Sequence, residues 1–297
     1  MSQTNLPADP AMEDELAVSG RLLSLFPALV SLLDRIADDA AREAGVIEWG
    51  CPVPAFGDPT VARVATLGLN PSNREFVDDD GVELSGDARR FHTLASLGLS
   101  TWEEAHAGHV DSILVSCCDY FSGNPYDRWF RRLDLVVAPT GASFYDAMAP
   151  ACHLDLIPYA TARKWTALSA QQRSGLMRLA GDALGLLLRQ SAVRVLILNG
   201  QSVVSHFQNV TGIALSRTEM AEWALPRQSG NDVPGYAYQG FADTVLGHPL
   251  PHELLVLGFN HNLQSSYGVT GRVIESIGRW VGAAASEVMR SHEEYLA

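Results

Sequence analysis

Val61-Ala62-Arg63-Val64-Ala65-Thr66-Leu67-Gly68-Leu69-Asn70-Pro71-Ser72 is an apolar run that empties into a glycine, an asparagine and a proline. A short run dominated by Val, Ala and Leu and bounded by turn formers reads as a strand buried on both faces. Such a strand needs cover on each side, which a parallel sheet flanked by helices provides. The same pattern recurs down the chain. Leu154-Asp155-Leu156-Ile157 stops at Pro158, and residues 193–198 run into Asn199-Gly200-Gln201. Residues 254–257 run into Gly258-Phe259-Asn260-His261-Asn262. Residues 112–117 read as a further strand. The intervening segments carry helical spacing. Residues 13–44 repeat Leu22, Leu25, Leu29, Leu33 and Ile36 on one face, with Pro27 expected to kink them or split them in two and Gly45 to cap them. Residues 89–97 read as a helix stopped by Gly98, and 129–137 as an amphipathic one. Residues 169–190 open with Ser169 as N-cap and Gln172 in the capping-box position, and 269–290 form a last helix. Alternating β and α elements predict an α/β fold, a three-layer α/β/α sandwich around a mostly parallel central sheet.

The chain has 297 residues and a hydrophobic fraction of 47%, enough to bury a sizeable core without disulfide staples. The four cysteines, Cys51, Cys117, Cys118 and Cys152, form no C-x-x-C pair and match no metal-site spacing. No metal or other cofactor is expected. The start of the chain is acidic and lacks the basic and apolar stretches of a signal peptide, and no run reaches the 18 apolar residues of a membrane span. A cytoplasmic protein is the reading. Residues 1–12 read as a disordered tail, 13–60 as an N-terminal helical extension and 61–297 as the α/β domain. The Gly/Pro-rich stretch 211–250 is expected to be an insertion or lid. The net charge of −13 lies wholly in residues 1–119, with 20 acids and 7 bases, while residues 120–297 balance 14 acids against 14 bases. Global charge therefore gives no support to a nucleic-acid coat. The bases are arginines apart from Lys164, and arginine suits local phosphate contacts.

Polar residues just past buried strands mark the binding crevice of an open α/β sheet. Asn70, Asp155, Asn199 and the Asn260-His261-Asn262 group all fall there. In this order the segments resemble the motifs of the uracil-DNA glycosylase superfamily, and most closely its mismatch-specific and thymine-DNA branch. That branch carries G-I-N-P-G after a strand, where this chain has Gly68-Leu69-Asn70-Pro71-Ser72. Its Arg-Phe-Trp helix start is similar to Arg89-Arg90-Phe91-His92, and its penultimate strand likewise ends in a glycine that opens a helix. Its second motif is similar to Asn260-His261-Asn262-Leu263-Gln264-Ser265-Ser266-Tyr267-Gly268. His248-Pro249-Leu250-Pro251 matches that motif's letters better, but it precedes the last strand, whereas the family's histidine follows it. Asn262 and Gln264 stand where the family has prolines.

The resemblance implies a monofunctional DNA glycosylase acting on double-stranded DNA with a flipped nucleotide. It makes Asn70 the residue that positions the attacking water and His261 the donor to the base O2. Gly68, Leu69, Pro71, Ser72, Asn260 and Asn262 would line the base site, with Phe76 a stacking partner. Gln264, Ser265, Ser266 and Tyr267 would touch DNA. Asp155 takes the place of the family's uracil-reading asparagine. A carboxylate accepts from the cytosine N4 amine but offers no donor to the uracil O4. The small Ser72 stands where uracil-specific relatives put a tyrosine that blocks 5-substituted bases. Together they point to a 5-modified cytosine, of the kind found in phage genomes (hydroxymethylated or glucosylated), and to antiviral defence. Three alternatives stay open: a uracil or thymine mismatch-repair glycosylase, a non-catalytic nucleic-acid-binding protein of the same fold, and an enzyme of free nucleosides. Asp155 also has a plain structural role open to it, as an ion-pair partner of Arg163 or Lys164.

Overall fold

The run that opens at Val61 forms its strand as expected, β1 (Val64–Gly68), and all but its last residue are buried. The computed structural model describes residues 20, 22–123, 127–227, 230, 232–264 and 268–290. On one side β1 pairs in parallel with β2 (Ala151–Asp155), and on the other with β3 (Val195–Asn199). Every residue of β2 and β3 is buried, as strands covered on both faces require. The chain next forms β4 (Ser216–Leu225), β5 (Val233–Val245) and β6 (His248–Phe259). β6 runs parallel to β3, and β5 and β4 follow antiparallel, giving the order β2-β1-β3-β6-β5-β4. The sheet is therefore mixed, with a parallel core and an antiparallel edge.

Period-two alternation sorts the strand side chains into two cores. Val195 and Ile197 of β3 and Leu255 and Leu257 of β6 point into one face. There they meet α1 (Phe26–Ile36), α2 (Asp39–Ala44), α3 (Ala107–Cys118), α4 (Asp127–Val137) and the last helix, Gly271–Arg290. Leu196 and Leu198 point to the other face, with Leu254 and Val256. That face holds α6 (Ala183–Arg189) and α7 (Gln201–Thr211), while α5 (Ala170–Ala180) leads into α6. The last helix is α8. The result is the α/β/α sandwich the pattern predicts. Leu22, Leu25, Leu29, Leu32 and Ile36 lie in the same core cluster as Ile277 and Val281 of α8, so the N-terminal helices share the sheet's core.

Several local expectations change. Residues 112–117 are not a strand but part of α3, whose buried positions Val110, Ile113, Leu114 and Cys117 follow helical spacing. Residues 89–97 yield a single helical turn, Leu94–Leu97, closed by Gly98 at φ 69°. Pro27 splits the segment rather than kinking it: it lies in the first turn of α1, behind the 3-10 turn Leu23–Leu25, where a residue needs no N–H partner. Residues 169–190 carry the Ser169/Gln172 capping box but break at Gly181 into α5 and α6. Residues 211–250, read as an insertion or lid, supply β4, β5 and the start of β6, hydrogen-bonded into the main sheet. Among the described residues no helix is long and apolar enough to cross a membrane.

Candidate active site

β1, β2, β3 and β6 all end on the same edge of the sheet. In register, Gly68 pairs with Asp155, and Asn199 with Phe259. The chain leaves β1 for β2 on one side and then crosses to β3 on the other, so the crevice lies between β1 and β3. This is where open α/β sheets bind ligands. Two cavities meet there, sharing Gly68 to Ser72, Trp129 and Lys164. One, of about 640 Å3, extends toward Asn199, Gln201, Trp165 and Asn262. The other, of about 480 Å3, reaches down to Glu75, His153 and Asp155 between the rings of Phe56, Trp129 and Phe130.

Asn70 stands at the junction. Its Nδ2 donates to the Pro71 carbonyl at 3.0 Å, the Thr161 hydroxyl at 3.0 Å and the Tyr159 carbonyl at 3.5 Å. The Thr161 hydroxyl spends its own proton on the Arg163 carbonyl, 2.7 Å away. All three neighbours of Nδ2 are thus acceptors, which fixes the orientation of the amide from hydrogen-bond chemistry alone. Asn70 is half-buried and lines both cavities, and with Nδ2 so engaged its Oδ1 is the atom able to accept a proton from a ligand or water. The loop carrying Asn70 is zipped to the chain after β2: Leu156 and Ile157 donate to the carbonyls of Gly68 and Leu69 at 3.1 and 2.9 Å. Ser72 then caps the turn Asn73–Glu75 by accepting from the Arg74 N–H at 3.2 Å, and that turn delivers Glu75 into the deeper cavity.

Asp155 and His153 share one face of β2, two residues apart, and both are buried. The His153 Nδ1 hydrogen-bonds the Thr66 hydroxyl at 2.7 Å, and its Nε2 lies 3.6 Å from Asp155 Oδ1. Asp155 therefore faces His153, not Arg163 or Lys164. The pair lies over the backbone of Gly68, where a Cβ would come within 2.3 Å of Asp155 Oδ1. Gly68→Ala is accordingly expected to displace the carboxylate and to abolish any activity that depends on it. Circular dichroism will separate that from loss of fold.

Glu75 is also buried, at 4% exposure. The Tyr120 hydroxyl donates to it, 3.1 and 3.2 Å from its two oxygens, and Arg90 Nη1 stands 3.8 Å off. Burial pushes the carboxyl up to about 8, helped by Asp155, against the pull of Arg90 and Tyr120. The folded state thus holds a proton that the unfolded chain releases above the usual 4.5. This stabilisation is complete below about 4.5 and is lost as pH rises through about 8, by roughly 5 kcal/mol. Glu75→Gln should remove that dependence: the variant gains on the wild type in thermal unfolding at pH 9 and matches it near pH 5.

Asn260 lines the wider cavity, but its amide is spent bridging β5, accepting from Tyr236 N–H and donating to the Pro234 carbonyl, both at 2.8 Å. Asn262 lines it too and accepts from Gln264 N–H at 3.0 Å. Gln264, expected against DNA, instead accepts from Asn199 Nδ2 at 3.3 Å and so ties the loop after β6 to the end of β3. Ser265, Ser266 and Tyr267 lie outside the described residues.

Two expectations fail. His261 does not face either cavity. Its ring is buried, burial lowers its pKa, and the neutral Nε2–H donates to the Trp223 carbonyl of β4 at 2.7 Å. Phe76 is a core residue, 1% exposed, set edge-on to Trp49 and tilted against Phe91. The rings that do wall the deeper cavity are Phe56, Trp129 and Phe130. His248, the better match by letters, sits at the start of β6, the far end of the sheet, bonded to Asp182 at 2.8 Å. Sequence reasoning missed Glu75, His153 and Thr161 as site residues, and Trp129 was read as one face of an amphipathic helix. Lys164, the sole lysine and one expected ion-pair partner of Asp155, lies exposed on the lip of both cavities.

Comparison of this chain with protein-family models and with curated protein sequences finds no match.

Proposed function

We propose that this chain is a monofunctional DNA glycosylase that takes a flipped, 5-substituted cytosine into the 480 Å3 cavity and hydrolyses its glycosidic bond. The observation that carries the reading is Asn70, which lines both cavities and whose Nδ2 is held by three protein acceptors, so that Oδ1 is the atom left to accept from a water. A water accepted there is held against the anomeric carbon of a sugar whose base lies in the deeper cavity. Cleavage proceeds through an oxocarbenium-like sugar, so holding the water in place matters more than making it strongly basic. Base extrusion needs an enclosed pocket with aromatic contacts, which Phe56, Trp129 and Phe130 supply. Asp155 at the cavity floor accepts from the exocyclic N4 amine. Ser72 on the rim leaves room beside it, and Arg163 and Lys164 on the lip offer charge to phosphate. The inward turn of His261 removes the base-O2 donor that the resemblance implies, so stabilisation of the leaving base falls to the cavity's other groups.

The test incubates the protein with unmodified, uracil-containing, 5-hydroxymethylcytosine-containing and glucosylated genomic DNA. Released bases are identified by mass spectrometry and abasic sites counted. Release of modified cytosine alone is expected, and would fit a role against phage DNA. Release of uracil or thymine instead would make this a repair enzyme and the reading of Asp155 wrong. No release from any DNA would leave a nucleic-acid-binding protein, the reading that the inward His261 favours, or an enzyme of free nucleosides.

A further inference from the structure

Two buried carboxyl groups meet in one small cavity, and a glycosylase that only positions water has use for neither as a base. Glu75 and Asp155 both line the 480 Å3 space, each 4% exposed, on separate elements: the turn after Ser72 and the end of β2. Burial in this cavity raises the Glu75 carboxyl, and the neighbouring Asp155 adds to that. We infer that Glu75 is the general acid of the reaction, donating its carboxyl proton to N3 of the bound cytosine while Asp155 accepts from N4. This rests on the glycosylase reading above and extends it to the chemistry of base departure.

The geometry that favours this division is the set of groups around Glu75. From the segment 119–123 the Tyr120 hydroxyl donates to it, and one hydroxyl proton serves only one of the two oxygens at a time. Arg90 is the cation near it, at 3.8 Å, longer than a hydrogen bond. On the cavity side stand Asp155 and His153 of β2, with Arg74 and Lys164 at the mouth. Arg74 is engaged by Asp79 at 2.7 Å and by the Asp78 carbonyl at 2.5 Å. A carboxyl so enclosed keeps its proton at neutral pH.

The pair is complementary to cytosine and wrong for uracil. Cytosine presents an acceptor at N3 and a donor at N4, matching a Glu75 carboxyl that donates and an Asp155 oxygen that accepts. Uracil presents N3–H and O4, facing donor with donor and acceptor with acceptor. Cytosine is also the worse leaving group unless protonated, so an acid has work to do there. As the C1′–N1 bond breaks, its electron pair passes into the base ring. The Glu75 proton passes to N3, and the base leaves neutral. The oxygen of the water held at Asn70 bonds to C1′ and releases one proton to solvent, from which Glu75 is reprotonated.

The experiment is single-turnover release of a 5-substituted cytosine from duplex DNA across pH 6–10, with DNA affinity measured in parallel. Glu75→Gln keeps shape and a donor but holds no transferable proton. Its rate should fall about 10²-fold with affinity retained, and the wild-type decline above about pH 8 should vanish. Tyr120→Phe removes a donor that favours the ionised form, so the decline should move to higher pH even if Glu75→Gln does not fold. Wild-type rate and an unchanged alkaline decline in Glu75→Gln, with Asn70→Ala inactive, would overturn the role of Glu75 alone. An active Asn70→Ala would instead sink the glycosylase site itself.

Discussion

Asn70→Ala should lower base release about 10²- to 10³-fold with little change in DNA affinity, as read by single-turnover excision and by titration of labelled duplex. The side chain's nitrogen is engaged by protein acceptors, which leaves its oxygen for the proposed water. Removing the amide leaves Tyr159 O, Pro71 O and Thr161 Oγ1 without their shared donor, at a cost of about 1–3 kcal/mol in stability. A modest drop in melting temperature is therefore expected alongside near-complete loss of activity. Asn70→Asp sharpens the point. A carboxylate is the stronger base, and in isolation it should speed attack by water. Here it would turn an acceptor toward three acceptors, so it should lose both activity and stability. The cage around Nδ2 explains why an amide occupies this position. Rescue of activity by aspartate would show that base strength, not placement of the water, limits the reaction.

The β1 strand and Asn70 were legible because an apolar run that must be buried leads directly into turn-forming residues, and both ends of that statement are local. The Ser169/Gln172 capping box was legible for the same reason. What failed depended on partners far away in sequence. His261 was placed in the crevice from its position after the last strand, but its direction is set by the Trp223 carbonyl. That carbonyl belongs to β4, inside the stretch read as an insertion, where no strand was expected to receive it. Phe76 follows Asn70 by six residues and shares its loop, yet Trp49 and Phe91 claim its ring for the core. Residues 112–117 look like a strand because the stretch is short and apolar. Val110 extends by another turn the three-and-four spacing that Ile113, Leu114 and Cys117 show, which marks a helix face rather than a strand. Glu75 carried no local signal, since nothing nearby in sequence announces that a carboxylate will be enclosed by Tyr120, Arg90 and Asp155.

Asp155→Asn should shift the ratio of excision of 5-substituted cytosine to that of uracil by about 10- to 100-fold, the range set by roughly 1–3 kcal/mol per discriminating contact. The carboxylate accepts only, and its bond to the N4 amine is charge-assisted. The amide weakens that contact and gains an N–H that can donate to O4. Competition between the two substrates in one reaction, with products separated by mass, measures the ratio without concern for total activity. Stability should change little, because asparagine keeps the shape of the side chain and the contact to His153 Nε2, at 3.6 Å, is longer than a hydrogen bond. The same variant also probes Glu75. Asp155 helps hold that carboxyl protonated, so removing its charge lets Glu75 ionise earlier, and the alkaline decline in rate should move to lower pH, opposite to the shift in Tyr120→Phe. An unchanged substrate ratio would remove Asp155 from base recognition. A moved pH limb would then show that the two carboxyls still sense each other across the cavity.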